Sequence, residues 1–354
     1  MKAILKVTAC AAALWCAASP AHAEWVRRIT DGIMGTRITV ELWADDPAKG
    51  ERAIDAVLDE MRHIDETMST YKPTSEVSQV NDKASDGPMH ISKELFDLLV
   101  TARQYSEITE GAFDITYASV GYMYNFPKHV RPDDAQIAKA LPAVNYRHVI
   151  LDPANQTVRF TQKGVRIDLG GIAKGYSVDR GIDVLKGLGF TRAFIGAGGD
   201  SRIIGDRFGK PWIVGVRDPM KGEGNVIARI PLENAAISTS GDYERFFDEG
   251  GVRYHHIIDP RTGHSASKVR SATVIGPYAT RTDGLSKTAF VLGPDKALEI
   301  YNKLDDIDAI IVKLDGTVVY SKGMSRAPPH PDAAPGAVPP PAAPPATAPP
   351  PAAH

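Results

Sequence analysis

The feature that most constrains this chain is a change in the spacing of its apolar residues near position 149. Before it, Ile54, Val57, Leu58, Met61, Ile64 and Met68 recur at helical intervals and predict a helix over 48–68. Leu95, Leu98, Leu99, Ala102 and Tyr105 predict a second helix over 93–108, closed near Gly111. After it, short β-type runs dominate, at 149–151, 158–161, 165–169, 193–195, 212–217, 226–230, 236–239, 254–258 and 271–276. Strand-like stretches also open the fold at 26–30 and 36–43, and further helices are expected at 173–186, 283–292 and 297–304. A closing hairpin pairs 307–312 with 317–320 around Asp315-Gly316. No fixed internal repeat is visible. This order of elements argues for an α+β fold with mostly antiparallel sheet.

The two ends stand outside that pattern. Residues 1–23 begin with Lys2 and Lys6, continue through an apolar run too short to span a bilayer comfortably, and close on Ala21-His22-Ala23, an A-x-A cleavage site. They read as a signal peptide cleaved after Ala23, which makes the periplasm the expected location. A lipoprotein signal fits less well, because Cys10 precedes most of the apolar run and Trp15 is too bulky before Cys16. Cys10 and Cys16 are the only cysteines, so the mature chain needs no disulfide and has no thiol nucleophile or thiolate metal site. At the other end, 12 of the 26 prolines lie in residues 327–354, a Pro/Ala-rich tail that favours extended, disordered chain. The folded domain is therefore expected over 24–326.

Composition excludes several classes. With 43% hydrophobic and 24% charged residues the chain is neither disordered nor collagenous nor a plain coiled coil. Its formal charge of −2 becomes −4 once Lys2 and Lys6 are removed, so no global basic field favours nucleic acid.

Familiar catalytic signatures fail. Gly196-Ala197-Gly198-Gly199-Asp200 starts like a dinucleotide fingerprint, but Ser201 stands where the third glycine belongs. There is no phosphate loop, HExxH or G-x-S-x-G elbow. What remains is a set of polar, Gly-rich segments at strand ends and helix starts. In 168–175, Asp168 and two glycines lead into a helix beginning near Lys174, which reads either as an anion site or as a tight turn with a surface lysine. In 281–288, Thr282 and Asp283 read as a helix cap and its first turn, or else Asp283 and a hydroxyl one turn later read as oxygen ligands of a hard metal ion. His255 and His256 face opposite sides if they lie on a strand, so one is expected to be structural and the other to face a cleft. Met34-Gly35-Thr36, Ser69-Thr70-Tyr71, Gly111-Ala112-Phe113-Asp114 and 238–242 each read as a bend, with Tyr71 also able to pack on a ring system.

In this order the segments resemble the ApbE family, the FAD:protein FMN transferases. The matching strings are MGT (34–36), STY (69–71), GAFDIT (111–116), DLGGIAKGYSVD (168–179), GGD (198–200), ISTSGDYERFF (237–247), HIIDPRTG (256–263) and TDGLSKTAFVLG (282–293). The resemblance implies mixed α/β layers with a mostly antiparallel sheet and a central cleft for FAD and Mg²⁺. It implies transfer of FMN to a Thr or Ser hydroxyl of an acceptor, with release of AMP. Acceptors would be flavoprotein subunits of membrane or exported electron-transfer systems, which places the inner membrane close by, with no role for nucleic acid. Carried over by position, Met34, Tyr71, Ala112, Phe113, Asp114, Asp168, Lys174 and Ile258 would line the FAD pocket. The Gly171 carbonyl and Asp283 would hold the metal.

One departure from the family pattern stands out. The family commonly has Thr or Ser four residues after the metal-binding Asp; this chain has Lys287 there and Thr288 one further. Either Thr288 completes the metal site or Lys287 replaces part of the ion's charge. For the acceptor proton, His256 and Asp242 are the candidates. Alternative readings are an FAD pyrophosphatase, with water as nucleophile, and a non-catalytic periplasmic flavin-binding protein.

Overall fold

The computed structural model describes residues 22–221 and 224–324. The expected signal peptide, apart from its last two residues, and the Pro/Ala-rich tail lie outside the described residues. No described helix is long and apolar enough to cross a membrane.

The chain enters as a hairpin of β1 (Glu24–Ile33) and β2 (Thr36–Ala44). Its two-residue turn, Met34-Gly35, has φ of 53° and 64°, both in the left-handed region that a type I′ turn requires. A bulky Met is uncommon in that conformation, and strain of this kind concentrates at functional sites. α1 (Pro47–Met68) follows, started by Asp46, whose carboxylate accepts from the Ala48 N–H. The stripe expected from spacing is the face it buries.

α2 (Glu76–Lys83), α3 (Lys93–Ile108) and a small sheet of β3 (Met89–His90), β4 (Val149–Asp152) and β5 (Thr157–Phe160) enclose one apolar core. Short helical pieces, α4 (Ala118–Gly121) and α5 (Asp134–Ala140), lie between them in the chain.

The second half builds the main sheet. It contributes α6 (Ala173–Gly187), β6 (Ala193–Ala197), β7 (Asp200–Ile204), β8 (Trp212–Arg217), β9 (Val226–Leu232), β10 (Ala236–Gly241), β11 (Phe246–Glu249), β12 (Val252–His255) and β13 (Val269–Gly276). α7 (Ala279–Leu285), α8 (Thr288–Leu292), α9 (Pro294–Tyr301), β14 (Asp308–Lys313) and β15 (Val318–Tyr320) complete the described chain. Eight strands form one sheet in the order β1-β2-β6-β7-β10-β13-β14-β15, with every neighbouring pair antiparallel.

Alternation along the strands divides the side chains between two faces. Ile204, Ala236 and Ile195 join α1 and α6 in one core. Ile203, Ile237 and Ile310 point the other way, against Trp212, Val216, Ile230 and Leu232 of the β8–β9 ribbon. The sheet is thus the middle of three layers, helices on one face and the ribbon on the other.

Several expectations are corrected. Residues 165–169 form no strand; the Asn81 side chain takes the place of a neighbouring strand, bonding the N–H and carbonyl of Ile167 at 2.7 and 2.9 Å. The helix expected over 283–292 begins earlier, at Ala279, and breaks after Leu285 into α7 and α8. Thr282 is therefore inside α7, not its cap. The helix expected at 297–304 is α9, three residues earlier, because Pro294 sits in its first turn. β7 is an additional strand, and the apolar spacing does not show it because Asp200, Ser201 and Arg202 interrupt the pattern.

Candidate active site

Two buried carboxylates lock α6 to α7 by capping each other's helix. Asp179, on α6, accepts from the N–H groups of Ala279 and Thr280 at 2.9 and 2.8 Å, at the start of α7. Asp283, on α7, accepts from the N–H of Gly175 at 3.1 Å, in the first turn of α6. That turn has no side-chain cap from its own sequence, so Asp283 complements the positive end of a helix other than its own. The approach is close enough to demand glycine: a Cβ on Gly175 would lie 2.2 Å from the Ala279 carbonyl oxygen. Hydroxyl pairs fix α7 on β10, Ser238 with Thr282 and Ser240 with Ser286, both at 2.8 Å.

Around Asp283 the chain gathers two ammonium groups and a second carboxylate. Lys174 donates to Asp200 at 2.6 Å and lies 3.5 Å from Asp283 Oδ2. Lys287 donates to the Gly171 carbonyl at 3.2 Å, to the Asp283 carbonyl at 2.8 Å, and to Asp283 Oδ1. Burial alone would push the Asp283 carboxyl up, but Lys174 and Lys287 outweigh it and hold it below the usual range. Asp200 moves the other way, raised by burial and by the Asp283 charge. Burial opposes the charge on Lys174, yet Asp200 and Asp283 overcome it and raise its pKa. The cluster thus fixes two ammonium groups, matched by two carboxylates, at the N-terminal end of α6.

The strand expected over 254–258 is corrected: β12 ends at His255, so His256 lies just beyond it and strand alternation does not set the direction of its ring. His255 is buried, its Nε2 bonded to the Ala266 carbonyl at 2.6 Å and its ring edge-on to Phe290. His256 feels the charges of Arg245, Lys287 and Lys174; burial first, and then these cations, hold its imidazole neutral far below the ordinary histidine range. Its Nδ1 is buried without a hydrogen-bond partner among the described residues.

Arg245 also acts on Lys174 and on the Tyr117 phenol, which makes it a shared neighbour of the cluster. Tyr117 donates to Asp168 Oδ1 at 2.9 Å, and Thr70 donates to Asp168 Oδ2 at 2.7 Å. Tyr71, beside Thr70, is 86% exposed, a large aromatic ring in solvent. Asp200, Arg245 and Tyr117 were missed as site residues; each lies in or beside a matching string, but nothing in the local sequence singles it out.

The other expected site residues fall into two groups. Phe113 stays with the cluster: a Cβ on Gly171 would lie 3.3 Å from its ring and 3.8 Å from Lys287 Cε. Met34 is half-buried, packed against two cores. Ala112 is buried in a third, with Ile257 and Phe290. Asp114 spends its carboxylate on structure, accepting from the Thr116 N–H and hydroxyl and from the Tyr146 N–H at 2.6–2.8 Å. Ile258 packs with Val120, Tyr124 and Ile137. Asp242 is held by Arg270 at 2.8 Å, with Arg253 at 3.9 Å, and is not brought to Lys174, Asp283 or His256 by any contact among the described residues. Thr288 is buried beside the Tyr301 phenol, and none of its described contacts reaches Asp283 or Gly171.

The oxygen atoms expected to hold a divalent ion are the Gly171 carbonyl and Asp283. Both are hydrogen-bonded to the Lys287 ammonium, and the neighbouring oxygen, Asp283 Oδ2, faces Gly175 N–H and Lys174. A hard cation needs such oxygens open to it. The donor set around Asp283 does not fit Mg²⁺ while Lys287 is in place.

Residues 34–311 match the model of the ApbE family. A Haemophilus influenzae relative described as an FAD:protein FMN transferase is 34% identical, the match covering 77% of this chain and 80% of the relative. A Klebsiella pneumoniae relative of the same description is 30% identical, covering 82% and 90%. Among solved structures, the ApbE protein of Thermotoga maritima superposes with a TM-score of 0.79 at 35% identity, covering 85% of this chain and 98% of that one. The flavin transferase ApbE of Vibrio cholerae gives 0.74 at 27% identity, covering 86% and 99%. The chain belongs to the ApbE family.

Proposed function

We propose that this chain transfers FMN from FAD to a Thr or Ser hydroxyl of an acceptor protein and releases AMP. The observation that carries the reading is the cluster of Lys174, Asp283, Lys287 and Asp200 at the N-terminus of α6, with a neutral histidine beside it. Cleaving a pyrophosphate requires fixed positive charge where negative charge builds up. The acceptor oxygen attacks the FMN-side phosphorus, and the bond from that phosphorus to the bridging oxygen breaks. AMP leaves with the bridging oxygen, and a phosphoester joins FMN to the acceptor. Lys174 donates to a phosphate oxygen while Asp283 and Asp200 hold its ammonium in place. His256, kept neutral by burial and the surrounding cations, takes the acceptor proton. The lysine ammonium groups supply cationic charge at the place where Mg²⁺ was expected, so no step here is routed through a divalent ion.

We place the mature protein in the periplasm, on the strength of the A-x-A site ending at Ala23. Its acceptors are flavoprotein subunits of membrane or exported electron-transfer systems.

The test follows AMP release and the intact mass of a purified FMN-accepting domain, with FAD as donor. AMP matched one-for-one by an FMN-sized mass gain is the expected result. Asp283→Asn should lower that rate by about 10²–10³. AMP with no mass gain across several acceptor domains would instead make the chain an FAD pyrophosphatase. Bound FAD with no AMP would make it a flavin-binding protein.

A further inference from the structure

We propose that the Lys287 ammonium is a built-in replacement for the divalent cation, so that this chain performs its chemistry without a metal ion. The inference deepens the flavin-transfer reading and rests on it. Its basis is the shell around Nζ: the carbonyl of Gly171 at 3.2 Å, the carbonyl of Asp283 at 2.8 Å, and Asp283 Oδ1. These are three oxygen acceptors for the three protons of an ammonium. One backbone carbonyl comes from the turn before α6, and a carbonyl and a carboxylate come from α7, which is an oxygen shell of the type a hard cation takes. The Lys287 side chain is 16% exposed and that of Asp283 is fully buried, so the pair is an integral part of the α6–α7 seam.

The replacement divides labour between two lysines. Lys287 has acceptors for all its protons and acts as a fixed charge. Lys174 donates to Asp200 at 2.6 Å and lies near Asp283 Oδ2 at 3.5 Å, with a side chain 21% exposed, which leaves a proton for a substrate phosphate. A metal ion would do both jobs at once, holding its protein ligands and opening a coordination position to the phosphate. Here one residue keeps the seam neutral and the other reaches the substrate. Thr288 does not enter this shell, because it is buried beside Tyr301 on α8.

The experiment compares the mature chain with Lys287→Thr, which restores a hydroxyl four residues after Asp283. In wild type, AMP release and acceptor mass gain should change less than twofold between excess chelator and millimolar Mg²⁺. Lys287→Thr should lose about 10²–10³ in chelator, the effect of removing one electrostatic contributor, and recover with Mg²⁺. In parallel, Mn²⁺ is titrated into each FAD-saturated protein and the free-ion electron paramagnetic resonance signal is followed. Wild type should leave the Mn²⁺ free, and Lys287→Thr should take up one ion per chain. This titration reads the cation site without turnover, so a failure of the transfer reading leaves the test intact. Chelator abolishing wild-type activity, with Mg²⁺ restoring it, would overturn the proposal. So would one Mn²⁺ bound per wild-type chain, a result that also decides the matter should Lys287→Thr not fold.

Discussion

Asp179 and Asp283 occupy equivalent places at the two ends of one helix–helix seam, yet they do different work. Each is a buried carboxylate that caps the partner's helix. Asp179 accepts from two backbone N–H groups, from the Thr280 hydroxyl at 2.6 Å and from Arg202 at 2.9 Å. Its planar, always-charged partner is itself nearly buried. Nothing at that end is left for a ligand. Asp283 accepts from one backbone N–H and is otherwise matched by two lysines whose side chains keep some exposure. The same cap chemistry builds a rivet when saturated by arginine and an electrostatic site when balanced by lysines.

The largest effect should come from breaking the rivet. Asp179→Ala leaves Arg202 unpaired inside the protein and two helix N–H groups without acceptors. Removing one partner of a buried ion pair costs about 3–5 kcal/mol, which for a domain of this size lowers the melting temperature by about 10 °C. Differential scanning calorimetry measures it. Asp283→Asn keeps an oxygen for the Gly175 N–H, so it should shift melting much less while lowering turnover by about 10²–10³. If the two variants lost equal stability and equal activity, the division between rivet and site would fail.

How much of this was legible in the sequence follows from separation along the chain. The Met34-Gly35 turn, the helix stripe of α1 and the β14–β15 hairpin are set by neighbours a few residues apart, and spacing alone shows them. Lys174 and Asp283 could be marked as polar groups beside helix starts. Their pairing could not, because the seam joins residues about a hundred positions apart, 108 in the case of Gly175 and Asp283 and 100 for Asp179 and Ala279. The same distance hid the role of Asp283, which reads locally as a residue in the first turn of its own helix and in fact serves another. Asp242 shows the same limit from the other side. A carboxylate in a matching string suggests chemistry, and its partners, Arg270 and Arg253, are not adjacent to it in sequence, so spacing could not show them.

A middle-sized effect should appear in the pH dependence of stability, at the open end of the seam. His256 is held neutral by burial and by the charges of Arg245, His255, Lys287 and Lys174, so its pKa is lower in the folded chain than in the unfolded one. As pH falls below about 6.5, the unfolded chain takes up this proton first. Stability is therefore full above that pH and declines on acidification until the folded pKa is passed. His256→Asn should flatten this decline in denaturant titrations at stepped pH. His255, also held low by burial, keeps its own share, so a residual slope remains. An unchanged slope in the variant would place His256 in solvent, away from the cations.

The smallest effect sharpens the closed end. Thr280→Val removes the hydroxyl that Asp179 accepts at 2.6 Å and leaves both backbone N–H bonds and Arg202 in place. A hydrogen bond to a charged group contributes about 1.5–3 kcal/mol, and the added methyl of Val at this buried position returns part of that. Denaturant unfolding should show a net loss of about 1 kcal/mol, with turnover on FAD within twofold of wild type. The logic is that Asp179 stays charged and paired, so α7 keeps its start and Asp283 keeps its place over α6. A tenfold fall in turnover with the same small loss of stability would mean that the α7 start is registered on Asp179 to within a fraction of an ångström. The rivet would then be a positioning element for the lysine cluster, and the contrast between the two carboxylates would become one of distance from the substrate alone.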